Sequence, residues 1–161
     1  MKKYKLCLMA ILLTVSSLSA LAVGLPAKVE ATFNKMYPKA TQVEWEQIGC
    51  YYAADFMMDN QEIDVWINDN GEWAMTTLDV ESLEKIPAPA AEAFMKSIMA
   101  SMRLRDVRIA TFPNHPTVIL LEVEGYNSDE EFQLFYSPEG KLLKTLNVSE
   151  TGGEIYPGLF E

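Results

Sequence analysis

Few side chains in this chain combine the types and the spacing that catalysis requires. His115 is the single histidine, and it lies between Pro113 and Pro116 in a segment typical of a turn. No Gly-x-Ser-x-Gly segment supports a Ser-His-Asp arrangement, and one histidine with one cysteine outside the first 22 residues cannot build a common zinc site. Phosphate-binding glycine loops and dinucleotide-binding fingerprints are also missing. The sequence therefore predicts a protein that is not an enzyme.

Oxygen-bearing side chains are concentrated in two short turns, at 68–72 and at 129–131, where calcium binding is the chemistry to consider. Asn68, Asp69, Asn70 and Glu72 surround Gly71. These oxygens suit Ca²⁺, but the longer loop that ends in a bidentate glutamate is missing. The segment is also typical of a hairpin turn, because Asn and Gly tolerate the positive φ angles that tight turns require. A plain hairpin is the main prediction, and a calcium site is the weaker alternative.

The elements that position these residues occur twice along the chain. Leu-Pro-Ala at 25–27 returns as Ile-Pro-Ala at 86–88, and Thr-Leu-Asp-Val at 77–80 returns as Thr-Leu-Asn-Val at 145–148. Such internal similarity indicates a repeated structural unit. We therefore predict a first repeat at 23–80, a second at 81–149, and a C-terminal tail at 150–161 that has no periodicity but carries apolar residues able to dock.

Each repeat reads as one helix followed by four strands. The first helix is predicted from Pro26 to Tyr37, and the second from Pro87 to about Arg103, because apolar residues recur there at helical spacing. The following segments alternate between apolar and polar residues and are separated by short turns, so their strands must be antiparallel. The predicted fold is α+β, with two tandem α-β-β-β-β repeats, a continuous antiparallel sheet, and helices on one face.

The first 22 residues have the features of a secretory signal peptide. Three lysines precede an apolar run, and small residues end at Ala22, after which we predict cleavage. The run is shorter than the roughly 20 apolar residues of a membrane-spanning helix, so we predict export to the periplasm. Cleavage removes three of the 13 basic residues and none of the 23 acidic ones, which changes the formal net charge from −10 to −13. This acidity disfavours nucleic acid and is explained by cationic partners, by divalent metal, or by solubility alone.

Cys50 is the single cysteine that remains after the predicted cleavage. An intramolecular disulfide is then impossible, so the hydrophobic core must stabilise the fold. We expect Cys50 to be a small buried residue near a turn rather than a nucleophile. An intermolecular disulfide is left open.

The sheet face without helices offers a candidate binding surface. If Ile63, Val65 and Ile67 point towards the helix, the residues between them point away from it. The same rule predicts outward side chains at Tyr51, Asp55, Met57, Asp64, Trp66, Gln133 and Phe135. Aromatic and carboxylate side chains on one exposed face are typical of a protein-binding surface. The alternative is that the tail, a loop or a second copy covers them.

Aromatic and proline residues of the first repeat have a spacing that indicates a family. Tyr-Pro-x-Ala-x-x-Val-x-Trp spans Tyr37 to Trp45, and Leu25-Pro26, Phe33, Tyr52, Phe56 and the glycine before Trp73 accompany it. This pattern resembles the PepSY-like family of exported bacterial proteins, found mainly among Bacteroidetes. The second repeat departs from the pattern, since Ile98-Met99 stands in place of Tyr37-Pro38 and Ile109 in place of Trp45.

The resemblance implies a saddle-like antiparallel sheet backed by helices, likened to the β-lactamase inhibitor protein, with a periplasmic binding or inhibitory role and no catalytic motif. We therefore predict a non-enzymatic periplasmic protein that binds a protein or peptide through its open sheet face. A cationic or aromatic-binding partner is expected, and an exported hydrolase is one candidate target for inhibition. A calcium-responsive protein and a structural envelope component are the alternatives, and Ca²⁺ is the single ligand ion that the sequence indicates.

Overall fold

The computed structural model describes residues 24–151 and 153–160, and the predicted signal peptide lies outside them. The described residues form an α+β fold in which one eight-stranded antiparallel sheet carries two helices. The strands lie side by side in chain order from β1 to β8. The predicted fold class is confirmed. The elements are α1 (Ala27–Met36), β1 (Thr41–Ile48), β2 (Tyr51–Met58), β3 (Gln61–Asn68), β4 (Trp73–Asp79), α2 (Ala88–Met95), β5 (Arg103–Thr111), β6 (Val118–Glu124), β7 (Glu131–Tyr136) and β8 (Leu142–Asn147).

Both helices pack on the same face of the sheet. α1 buries Val29 and Phe33, and α2 buries Ala90 and Phe94. Leu78 on β4 packs against the hydrophobic clusters of both helices, so the two halves share one apolar layer. None of the helical segments within 24–151 and 153–160 has the length and apolar composition needed to cross a bilayer.

The aromatic residues behind the family resemblance form the core beneath α1. The ring centroid of Phe33 lies 5.0 Å from that of Trp45 and 5.1 Å from that of Phe56. Tyr37 lies 4.7 Å from Phe56, and its hydroxyl oxygen is 2.8 Å from Oγ1 of Thr76. Burial raises the pKa of Tyr37. These residues stabilise the fold, so residues available for binding must be sought on the other face.

Two glycines let a hairpin in each half touch the start of its helix. Gly71, between β3 and β4, has a φ of 80°, and Gly140, between β7 and β8, has a φ of 87°. A Cβ atom at Gly71 would collide with Lys28 of α1, and one at Gly140 would collide with the Pro89 carbonyl of α2. Any other residue would be strained at both positions. The same close contact is therefore built into both halves.

The second helix ends earlier than the sequence predicts. Apolar residues continue at helical spacing to Met102, but α2 stops at Met95 and a 3₁₀ turn follows at Ile98–Ser101. Ser97 has extended backbone with a φ of −82° and a ψ of 161°, which interrupts the helix. Ile98 is 86% exposed as a result. The predicted helix end near Arg103 is wrong because the extended backbone at Ser97 ends the helix, although Ile98 and Met102 continue its four-residue spacing.

Candidate functional site

The seven residues predicted to point away from the helices lie on the helix-free face but occupy two different environments. Tyr51, Asp55, Met57 and Asp64 each keep part of their surface accessible to solvent. Trp66 is 4% exposed, Gln133 is 0% exposed and Phe135 is 2% exposed. The exposure predicted for these last three side chains is therefore wrong.

The C-terminal tail buries these side chains. Ile155, Leu159 and Phe160 pack on an apolar cluster of the sheet that contains Trp66 and Phe135. The ring of Phe160 lies 5.5 Å from that of Phe135. The alternation of side chains along β3 and β7 predicts correctly which face of the sheet they lie on. That face is covered by the tail, which forms no strand of the sheet. The structure therefore matches the alternative considered for these residues, in which the tail covers them.

Polar contacts fix the tail at both ends. The side-chain nitrogen of Gln133 donates a hydrogen bond to the carbonyl oxygen of Gly153. The ammonium of Lys144 donates to the carbonyl oxygen of Leu159 at 3.2 Å. Pro157, between these two contacts, is buried. The tail is thus held against the helix-free face by hydrogen bonds to β7 and β8 and by apolar packing on a cluster that extends to Trp66 on β3.

Beside the tail lies an acidic groove with a volume of about 300 Å³. Its charged residues are Glu46, Asp64, Asp106, Arg108, Glu122 and Glu154. Trp66, Ala53 and Ile155 supply apolar wall. Five carboxylates against one guanidinium make the groove strongly negative, and we call this feature the acidic groove below.

Arg108 is the central cation of the acidic groove. Its Nη1 lies 2.8 Å from Oδ2 of Asp64, and its Nε donates to Oδ2 of Asp106. The hydroxyl of Thr77 also donates to Oδ2 of Asp64, at 2.8 Å. The side chains of Arg108, Asp64 and Asp106 are all less than a quarter exposed. One guanidinium therefore pairs with two carboxylates in a partly desolvated setting.

Negative charge remains in excess around this cation. Burial raises the pKa of Asp64, and the charges of Asp55 and Asp106 raise it further, against the lowering effects of the Thr77 hydrogen bond and of Arg108. Burial and the neighbouring carboxylates, Asp55 first among them, also raise the pKa of Glu62. Carboxylates that resist ionisation in this way gain from any cation brought near them.

Sequence reasoning named Asp64 but missed Arg108, Asp106, Glu122 and Glu154. The Asp-Val-Arg alternation at 106–108 does indicate that Asp106 and Arg108 share one face. The contact with Asp64 depends on the pairing of β4 with β5, in which Asp79 faces Arg108. β4 and β5 are separated by the segment 80–102. No hairpin turn therefore fixes the register of their pairing, and the sequence does not predict it.

The turn considered for calcium is a hydrogen-bonded hairpin. Oδ1 of Asn68 accepts hydrogen bonds from the backbone nitrogens of Asn70 and Glu72, and its Nδ2 donates to the Glu72 carboxylate at 2.8 Å. Side-chain oxygens of two of the four candidate ligands, Asn68 and Glu72, are thus engaged within the turn. Within 24–151 and 153–160, no group of three or more His, Cys, Asp or Glu residues is arranged to hold a metal ion.

We accordingly expect the melting temperature to shift by less than about 1 °C when about 5 mM Ca²⁺ is added to metal-free protein. Binding at a hundredfold excess over Kd would instead stabilise the fold by about 2.7 kcal/mol. Differential scanning fluorimetry with Mg²⁺ as the control ion measures the difference. A stabilisation specific to Ca²⁺ that Asn68→Ala removes would restore the calcium alternative.

His115 and Cys50 do not assemble a catalytic centre. His115 packs edge-on against Phe112 at 5.1 Å, and its Nδ1 lies 2.8 Å from the carbonyl oxygen of Pro116. It lines a larger cleft beside the tail together with Ser137 and Glu139, but no hydrogen bond joins it to either among the described residues. Cys50 is exposed in the turn between β1 and β2, so the burial predicted for it is wrong.

Solved structures identify the relatives of this chain. A crystal structure of a DUF2874 family protein from Bacteroides ovatus matches with 39% sequence identity and a TM-score of 0.79, covering 84% of this chain and 96% of that chain. The chain belongs to the DUF2874 family. No protein-family model and no curated protein matched the sequence.

Two further structures extend the comparison of this DUF2874 family member. A BLIP-like protein from Bacteroides fragilis has 33% identity and a TM-score of 0.73, with 83% of this chain and 94% of that chain covered. A protein from Bacteroides eggerthii, provisionally described as periplasmic, has 31% identity and a TM-score of 0.74, with 77% and 89% covered. The fold of the DUF2874 chain is therefore BLIP-like, that is, similar to the β-lactamase inhibitor protein, while the PepSY-like resemblance stays a prediction.

Proposed function

We propose that this protein is a non-enzymatic periplasmic binding protein that engages a protein or peptide through the helix-free face of its sheet. The observation that carries the proposal is the division of that face into two parts. The tail covers the apolar cluster that contains Trp66 and Phe135, and the carboxylates beside it on β2, β3, β5 and β6 keep accessible surface. A partner would therefore dock beside the tail, on Asp55, Met57, Asp64 and the acidic groove.

The charge of this surface supports a cationic partner. The groove carboxylates are continued along the face by Glu44, which pairs with Asp55, and by Glu62, which faces Met57. Charges at the rim of an interface accelerate association and exclude partners of like charge. An acidic rim selects proteins with a basic patch and disfavours nucleic acid.

The structural relatives support the same class of function. One is described as BLIP-like and another provisionally as periplasmic. More specifically, we propose that the protein inhibits an exported hydrolase and that the acidic face contacts this target enzyme. A structural envelope component would need no such surface.

Charge reversal on the accessible face is expected to abolish partner capture. Asp55→Lys and Glu62→Lys place positive charge on exposed positions where carboxylates now crowd each other, so the fold should keep its melting temperature while the basic partner is repelled. Capture by immobilised protein from a periplasmic extract, quantified by mass spectrometry, should fall at least about tenfold for that partner.

Glu92→Lys on α2 is the matched control for either substitution, because it makes the same charge change as each of them on the opposite face of the sheet. Its capture should equal that of the unmodified protein. Equal loss with Glu92→Lys, or undiminished capture with Asp55→Lys and Glu62→Lys together, would contradict the proposed surface.

A further inference from the structure

Two buried polar atoms at the acidic groove have no hydrogen-bond partner among the described residues. They are the indole Nε1 of Trp66 and the side-chain Oε1 of Gln133. Trp66 lines the groove, while Gln133 contacts two residues that line it. A buried polar atom without a partner is costly, so a ligand group that reached either atom would stabilise the protein.

Hydrogen bonding fixes the orientation of Gln133. Its Nε2 donates to Oε2 of Glu122 at 3.3 Å and to the carbonyl oxygen of Gly153. Both partners are acceptors, so the reverse amide orientation would place oxygen against oxygen. Oε1 is therefore left as a free acceptor beside a carboxylate, a setting that suits an N–H donor.

Trp66 needs the opposite kind of ligand atom, a hydrogen-bond acceptor. An indole N–H can only donate, so it needs an acceptor oxygen from a ligand. The carboxylates of the groove require positive charge in addition. A peptide segment with a basic side chain provides all three groups, namely a cation, an N–H donor and a carbonyl acceptor.

We propose that the acidic groove is a subsite for one lysine or arginine side chain of the partner and its adjoining peptide bond. The cation lies against Glu122 and the carboxylates beside Arg108, and the carbonyl oxygen accepts from Trp66. The volume of about 300 Å³ is at the lower end of ligand sites, which suits a single extended side chain. This inference rests on the proposed function, because it assigns chemistry to the same surface.

An acetylated and amidated Gly-Lys-Gly-Lys-Gly peptide is the probe, measured by isothermal titration calorimetry at low ionic strength. Binding should weaken about tenfold in Glu122→Gln, because a hydrogen bond to a charged group is lost. Glu30→Gln, on α1 and exposed, makes the same charge change away from the groove and should leave the Kd unchanged. A Gly-Ala-Gly-Ala-Gly peptide should not bind.

Trp66→Phe tests the hydrogen bond apart from the packing of the ring. It keeps the apolar ring and removes the donor, so peptide affinity should fall about fivefold. The melting temperature should stay the same or rise, since the variant also removes a buried donor without a partner. A role in packing alone would leave the Kd unchanged. If this variant fails to fold, Glu122→Gln alone decides between the outcomes.

Absence of lysine-peptide binding, or equal Kd values for Glu122→Gln and Glu30→Gln, would overturn the subsite. The two proposals fail separately. If charge reversal abolishes partner capture but the lysine peptide does not bind, the subsite is overturned and the binding function is kept. If the lysine peptide binds at the groove but charge reversal changes the capture of no partner, the binding function is overturned.

Discussion

Replacing Phe135 with alanine is expected to lower the free energy of unfolding by about 3–5 kcal/mol, the usual range for a buried phenylalanine. The ring is 2% exposed and lies between the sheet and the tail, 5.5 Å from Phe160. Truncation leaves a cavity that the tail cannot fill without losing its contact with Phe112, whose ring lies 4.8 Å from Phe160. Urea unfolding followed by circular dichroism measures the loss.

Tyr126→Ala is the control for this substitution. Tyr126 is also aromatic but is 64% exposed, so its truncation should cost less than about 1 kcal/mol. A loss for Phe135→Ala as small as that of the control would show that the tail does not enclose the ring. The sequence alone predicts the opposite result, an exposed Phe135 whose removal leaves the fold intact.

Replacing Arg108 with methionine is expected to destabilise the fold by about 2–3 kcal/mol at pH 7, somewhat less than the loss of a fully buried ion-pair partner. The carboxylates of Asp64 and Asp106 lose their shared cation, and both are less than a quarter exposed. Methionine keeps much of the apolar stem, so the change isolates the charge. Lys85→Met breaks an exposed pair with Glu81 and should have an effect near zero.

The pH dependence of the Arg108 effect is set by Asp64. The folded state raises its pKa above the ordinary 3.8, so between the two values the folded protein binds more protons than the unfolded chain. Stability contributed by this group therefore increases as the pH falls through that window. Removal of Arg108 removes a charge that lowers this pKa, so the deficit of the variant should shrink from pH 7 towards pH 4. An equal deficit at both pH values would contradict the assignment.

The strands of this fold are predictable because each carries its own pattern. Alternation predicts most of the strands, although Leu142–Asn147 does not alternate, and Gly71 marks a hairpin because its φ of 80° is strained for other residues. The helix-free face is also predicted correctly, since Trp66 and Phe135 do lie on it. These features are determined by residues close to one another in the sequence, so hydrophobic periodicity predicts them.

The errors concern contacts between distant segments. The tail lacks periodicity, so its position over Phe135 depends on a tertiary fit that no local pattern encodes. The contact of Arg108 with Asp64 requires the register between β4 and β5, which lies across the boundary of the repeats. Cys50 is apolar by type but lies in a turn, where the backbone leaves its side chain exposed. The candidate site is made mostly of such contacts.

The sequential order of the strands also determines how this fold can assemble. Each strand pairs with the strand before it in the chain, so most pairings need only a short loop closure, the exception being β4 with β5 across 80–102. Without the tail, the apolar cluster around Trp66 and Leu120 would be open to solvent on the helix-free face. The segment that covers this cluster follows β8 along the chain. Because exposed apolar surface favours aggregation, we expect the covering tail to protect the sheet from self-association, apart from any part in recognition.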